Sequence, residues 1–233
     1  MNLPSLLLSL LVLLPSSAEV SVVQFPLKTK VSLSLGGKNK VDVERAGTVS
    51  KVSVQMEGLQ PPGTQVARMN TYVVWTVSPE GSFDNLGELE MAGSKASLVA
   101  TTRFDRFAII VTAEPHYMVD KPNAPIVFKN ESPRGFPAVP LTVEVGSYDY
   151  KNMPENTSAS PALVMEARAA FAVAAGVTAD RRADAEFRQA KADLDTMEEL
   201  VTRGSPADVI ASAANAAIRR AQRATTIASQ SLR

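Results

Sequence analysis

The chain predicts an α+β fold: an antiparallel, Ig-like β-sandwich followed by a C-terminal α-helical hairpin or three-helix module. Three observations carry this reading. Up to about residue 146 apolar residues alternate with polar ones, the period of a strand with one wet face. Beyond residue 161 they recur every three or four positions, the period of a helix, in a stretch built largely from alanine. Between the two lies a polar segment, 147–160, holding Pro154. The predicted organisation is 1–18 signal peptide, 19–146 sandwich, 147–160 linker and 161–233 Ala-rich, coiled-coil-like helical module.

The leader is read from its composition. The first eighteen residues carry no charged side chain, and Leu3–Leu14 is apolar apart from Pro4, Ser5 and Ser9. That run is shorter than the roughly 20 apolar residues a bilayer crossing needs. Ser16, Ser17 and Ala18 then place small residues where a signal peptidase reads, before Glu19. The chain has no cysteine. Exported eukaryotic domains of this size usually carry disulfides, so the expectation is a bacterial protein, periplasmic or secreted, in the cell envelope. No integral membrane span is expected after signal cleavage.

The β half unfolds as short runs punctuated by turns. Val31, Leu33 and Leu35 alternate with Ser32 and Ser34, and Gly36-Gly37 turns the chain. Val41 and Val43 flank Asp42, and Val52, Val54 and Met56 alternate with Ser53 and Gln55. Tyr72–Val77 and Phe107–Val111 are apolar on both faces, which suits central strands covered on both sides. Leu89 and Met91 alternate with Glu88 and Glu90, which predicts those two glutamates on a solvated face. Eight or so such strands with regular turns predict an antiparallel sandwich.

The helical half marks its own ends. Ser160-Pro161 predicts a capped start, and Gly176 a stop. Thr178 is the expected cap of a second helix that ends at Gly204, and Ser205-Pro206 opens a third. The seams follow coiled-coil spacing: Val164, Ala167, Phe171 and Ala174; then Ala183, Phe187, Ala190, Leu194, Met197 and Val201; then Ala207, Ile210, Ala214, Ala217, Ala221, Ala224 and Ala228, with Ile218 and Ile227 beside them. Alanine buries little area at about 25 cal/mol per Å², so the module is expected to need support from the sandwich, a third helix or another copy.

Charge and chemistry narrow the function. Of 233 residues 45% are hydrophobic, which excludes bulk disorder, and 24 basic side chains balance 24 acidic ones. A neutral chain gives no electrostatic reason to bind nucleic acid. His116 is the sole histidine, with Glu114 and Asp120 nearby in sequence; a metal centre needs three or four ligands, and no Ser- or Cys-based constellation surrounds it. Catalytic, cofactor-binding and metal-ligating residues are therefore all read as none. The interaction candidates are Phe187, Leu194, Met197, Ile210 and Ile218 on the seams. Arg219, Arg220 and Arg223 join them at the basic end of a hairpin whose tip, around Asp193 and Glu198, is acidic. Tyr72, Trp75 and Tyr117 are the candidate ligand contacts.

The stretch YVVWTVSPEG at Tyr72–Gly81, with NLGEL at Asn85–Leu89 and IVTAEPHY at Ile110–Tyr117, resembles a module of exported bacterial proteins, especially acidobacterial ones. Its strand–turn–strand element is similar to the extracytoplasmic domain of anti-sigma factors. Ala162–Leu232 resembles the Ala-rich helical domain of unknown function that often follows this module, commonly ahead of an OmpA-like domain. The resemblance implies an envelope protein and carries no catalytic residue. The expected function is a non-enzymatic envelope module whose helices mediate assembly with an envelope partner or a second copy. The alternatives are a glycan- or peptide-binding sandwich and, last, a hydrolase.

Overall fold

The computed structural model describes residues 16–123, 125–146, 153–154 and 160–231. Residues 1–15 of the expected leader and most of the expected linker fall outside them.

Among the described residues, eleven strands form two antiparallel sheets, ahead of the C-terminal helices. The first sheet is ordered β11 (Ala138–Val145), β1 (Ser16–Gln24), β9 (Arg106–Glu114), β5 (Thr71–Val77) and β6 (Phe83–Glu88), with β10 (Ile126–Lys129) also pairing β9. The second runs β2 (Lys30–Ser34), β3 (Lys40–Ala46), β4 (Val49–Glu57), β8 (Lys95–Thr102) and β7 (Glu90–Ala92). The alternating runs of β2, β3 and β4 turn Val31, Leu33, Val41, Val43, Val52, Val54 and Met56 inward. There they meet Tyr72, Val74, Phe107, Ile109 and Val111 from β5 and β9. This is the sandwich core.

The two runs that are apolar throughout sit side by side, β5 on β9, in the middle of the first sheet. Their other faces are buried too. Val73, Trp75, Val77, Ala108 and Ile110 pack with Val20, Val22, Val143, Val145 and Val119 on the sheet's far side. Val119 and Tyr117 belong to the segment after β9, which therefore lies over that face.

The chain changes sheets at Leu89. Its amide bonds Tyr72 O at 2.8 Å, and its side chain is buried. The expected single strand through Leu89 and Met91 is thus two strands, β6 in one sheet and β7 in the other. Just before the crossing, the β5–β6 register slips between Val74 and Trp75. Gly87, at φ +113°, takes up that slip in a backbone conformation that side-chain-bearing residues rarely adopt.

After a single-turn helix α1 (Pro62–Gln65), the remaining helices lie at the C-terminus: α2 (Ala162–Gly176), α3 (Ala179–Arg182), α4 (Asp184–Thr202) and α5 (Ala207–Gln230). The expected second helix is broken at Ala183, where φ is −140°. Thr178 does not cap it. It sits in the left-handed region at φ 58°, with its hydroxyl spent on Val177 O. Nor does Ser160 cap α2: the position before the helix is Pro161, and the Ser160 hydroxyl instead accepts from Arg168. Gly204, at φ +65°, does end α4 in the expected left-handed conformation.

The predicted seams meet one another, so that α5 is covered by both α2 and α4. Ala207 is the exception, exposed at the first position of α5. Phe171 and Phe187 stack at 4.7 Å, and Arg168 forks onto Glu198 at 2.6 and 2.7 Å. Among the described residues no helix is long and apolar enough to cross a membrane.

Candidate functional site

A second buried stripe on α2 positions the polar centre of the molecule. Met165, Glu166, Ala169 and Val173 are buried but stand off the helix seam. They lie on the side where α2 meets the sandwich. Asn70 Nδ2 reaches Met165 O at 3.4 Å, and the Tyr117 amide donates to Glu166 Oε2 at 3.0 Å. Tyr117 joins all three parts: its hydroxyl donates to Asn215 of α5 at 2.8 Å, and its carbonyl accepts from Asn85 of β6 at 2.9 Å.

Beneath this seam, the far face of the first sheet carries a relay. Trp75 Nε1 donates to Thr112 Oγ1 at 2.9 Å, and Thr112 donates to Glu114 Oε1 at 2.5 Å. The same Glu114 oxygen accepts the Asn123 amide at 2.8 Å, while Oε2 has no partner. Burial pushes the Glu114 carboxyl from 4.5 up to about 8, against the pull of those two hydrogen bonds. His116 is fully buried with neither ring nitrogen bonded, and desolvation drives it from 6.5 down to about 3, so it stays neutral. Asn70 Oδ1 and both side-chain polar atoms of Asn123 are also unpartnered. Unpaired buried polar atoms are costly, and Glu114, His116 and Asn123, close together in sequence, carry most of those among the described residues.

Glu88 and Glu166 are two further acids raised by burial. Glu88 Oε2 accepts the Thr71 hydroxyl at 2.9 Å. Burial raises both, Glu166 well above the usual carboxylate range. The solvated face expected for the pair Glu88 and Glu90 is therefore corrected. The sheet change at Leu89 separates them, leaving Glu90 exposed and Glu88 partly buried against Thr71.

The other sequence candidates disperse. Tyr72 and Trp75 are each 1% exposed, Tyr72 with its hydroxyl on Gln60 O and Trp75 edge-on to Phe83. No ligand can stack on either ring without opening the sandwich, which removes both as contacts. Tyr117 is partly buried in the seam. Met197 and Ile218 are fully enclosed, and Phe187, Leu194 and Ile210 pack on the same core. Of the arginines, Arg220 is spent on Asp193 and Gln189, and the Arg219 charge works against the rise that burial gives the Tyr117 hydroxyl. Arg219 and Arg223 are exposed, whereas Arg220 is partly buried in its ion pair. Asp120 is exposed, apart from the buried His116, and among the described residues no group of three or more His, Cys, Asp or Glu is placed to hold a metal.

A separate groove of about 200 Å³ opens where β1 and β11 pair, lined by Val22, Gln24, Pro79, Arg106, Val139 and Leu141. Sequence reasoning missed it, because its wall is a strand pair formed between distant segments. The buried Glu166 did leave a trace: Met165, Ala169 and Val173 are spaced four apart, a second apolar stripe beside the seam. Compared with protein-family models, curated proteins and solved structures, the chain matches none of them.

Proposed function

We propose that this chain is a non-catalytic exported protein of the bacterial envelope, a two-module scaffold that presents its sandwich and helices to an envelope partner or a second copy. One observation carries this reading. Glu114, Glu166 and His116, whose ionisation burial opposes, are shut off from solvent, so their polarity serves the fold rather than a substrate. The seam residues Phe187, Leu194, Met197, Ile210 and Ile218 fill the chain's own bundle, so assembly falls to the outer surface, where Val209 and Arg223 are exposed. The uncharged leader and the absence of cysteine support the location. Expressed in a Gram-negative host, the chain is expected in the periplasmic fraction with Glu19 as its first residue. Recovery from the cytosol with Met1 intact, as a monomer without envelope crosslinks, would sink the proposal.

The groove beside β11 favours a second reading, recognition of an extended apolar peptide. Its floor is apolar, Val139 is 65% exposed on an edge strand, and Arg106 supplies one charge. On this reading Val139→Asp abolishes capture of envelope peptides in a pull-down. Capture unchanged by that substitution removes the groove from consideration.

A further inference from the structure

The register of the first sheet gives the groove beside β11 an apolar end and a polar end. On the sheet's far face, Leu141 stands opposite Val20, and Val139 opposite Val22. The next row on that face is Gln24 opposite Arg106 of β9. Pro79 lies two residues beyond Val77, which pairs Ala108, and walls the same row. Rows on one face are two residues apart, about 6.6 Å. A cation and an amide therefore lie about one residue's length from an apolar floor.

The floor is short. Beyond Leu141 the face continues as Val143 and Val20, only 3% and 2% exposed, so the open groove stops there. Its volume of about 200 Å³ is below the roughly 300–1,000 Å³ of sites for drug-sized ligands. Arg106 is exposed and makes no ion pair within 4 Å among the described residues. Its charge reaches Glu80, a fully exposed carboxyl beside Pro79, only as the smallest of the causes acting there.

We propose that this groove captures the free C-terminus of an apolar peptide, with the terminal carboxylate on Arg106 and Gln24 and the last side chain on Val22, Val139 and Leu141. Capture of this kind rests on reading the groove as a peptide site, and narrows the ligand from any extended segment to a chain end. A chain end carries its carboxylate and its last side chain on one residue, the spacing the two rows offer. An internal segment brings a carboxylate only at an Asp or Glu, whose side chain then cannot cover the floor. The guanidinium suits the carboxylate, since its N–H groups can donate in pairs. A long acyl chain also ends in a carboxylate, but a floor of about 6.6 Å between Val139 and Leu141 does not seat it.

Fluorescence polarisation on the full chain tests this with a labelled Ser-Ala-Ala-Leu peptide, as free acid and as C-terminal amide. The acid is expected to bind about tenfold more tightly, the order of one hydrogen bond to a charged group. Arg106→Gln removes that difference by weakening the acid alone, and Val139→Asp weakens both forms. Both side chains are exposed, so neither substitution asks the core to repack. Decanoate is expected not to displace the acid at concentrations where unlabelled peptide does. Acid and amide binding alike, or a preference for the acid that survives Arg106→Gln, overturns C-terminal capture and leaves the groove a site for extended segments. Displacement by decanoate as effective as by peptide overturns it in favour of an amphiphilic carboxylate. Binding of neither form, or binding of both that Val139→Asp leaves unchanged, overturns it together with the peptide reading.

Discussion

Replacing Glu114 with Gln is expected to remove the loss of stability that this carboxyl causes between about pH 6.5 and 8. An unfolded chain ionises this carboxyl above 4.5, whereas burial keeps it protonated in the fold up to about 8. Its contribution is therefore complete below 4.5 and drains away up to 8, at about 1.4 kcal/mol per pH unit. His116 acts with the opposite sign. Its fold-depressed value, about 3 against 6.5, contributes stability above 6.5 that is lost as pH falls toward 3. Between 4.5 and 6.5 the two slopes cancel. These two groups alone give a plateau there, flanked by losses on both sides. The Glu114→Gln chain loses the plateau and instead gains stability steadily up to about 6.5. Gln suits the site, because its oxygen can accept from Thr112 and Asn123 as Oε1 does. Denaturant melts at several pH values decide it, and an alkaline slope unchanged by the substitution would refute the assignment.

Ile218→Ala is expected to cost about 2–5 kcal/mol of helical stability. The side chain is fully enclosed in α5, the helix covered by both α2 and α4, and most of its neighbours on the seam are alanines. A core of small side chains concentrates its apolar area in few places, here Met197, Ile218 and the stacked Phe171 and Phe187. Deleting one of them leaves a void that alanines cannot fill. Helical circular dichroism reports the bundle. Trp75, the sole tryptophan, reports the sandwich separately. A loss under about 1 kcal/mol would show that the bundle relaxes into the void instead.

What was legible in the sequence follows from which patterns carry their cause locally. Val52, Val54 and Met56 alternate because one sheet face is wet, and Tyr72–Val77 does not because both faces are covered. Both readings match the structure. Gly204 needs no context beyond its own backbone angle. Glu88 was misread because alternation marks polarity, not water. A polar position reads the same whether solvent or protein covers it, and Thr71, which holds Glu88, lies on another strand. Thr178 was misread for a related reason: a residue type suited to capping adopts a left-handed turn when the chain must bend between α2 and α4. The buried carboxyls could not be read from local pattern at all. They lie on β6, β9 and α2, and the partners that hold Glu88 and Glu166, Thr71 and Tyr117, come from other parts of the chain.

The pairing of β1 with β11 has a temporal consequence. Ser16 to Val23 bonds along Ala138–Val145, so the sheet's first strand waits for one made near the end of the sandwich. Such a pairing is among the slowest to form, because the intervening loop must close before any contact repays it. Ser16, Ser17 and Ala18, the expected recognition residues for cleavage, lie within that strand, opposite Val145, Glu144 and Val143. A finished sandwich would hide them in a ladder from the peptidase. On the proposed reading, the leader is cut while the strand is still an extended free end, and the fold closes behind it.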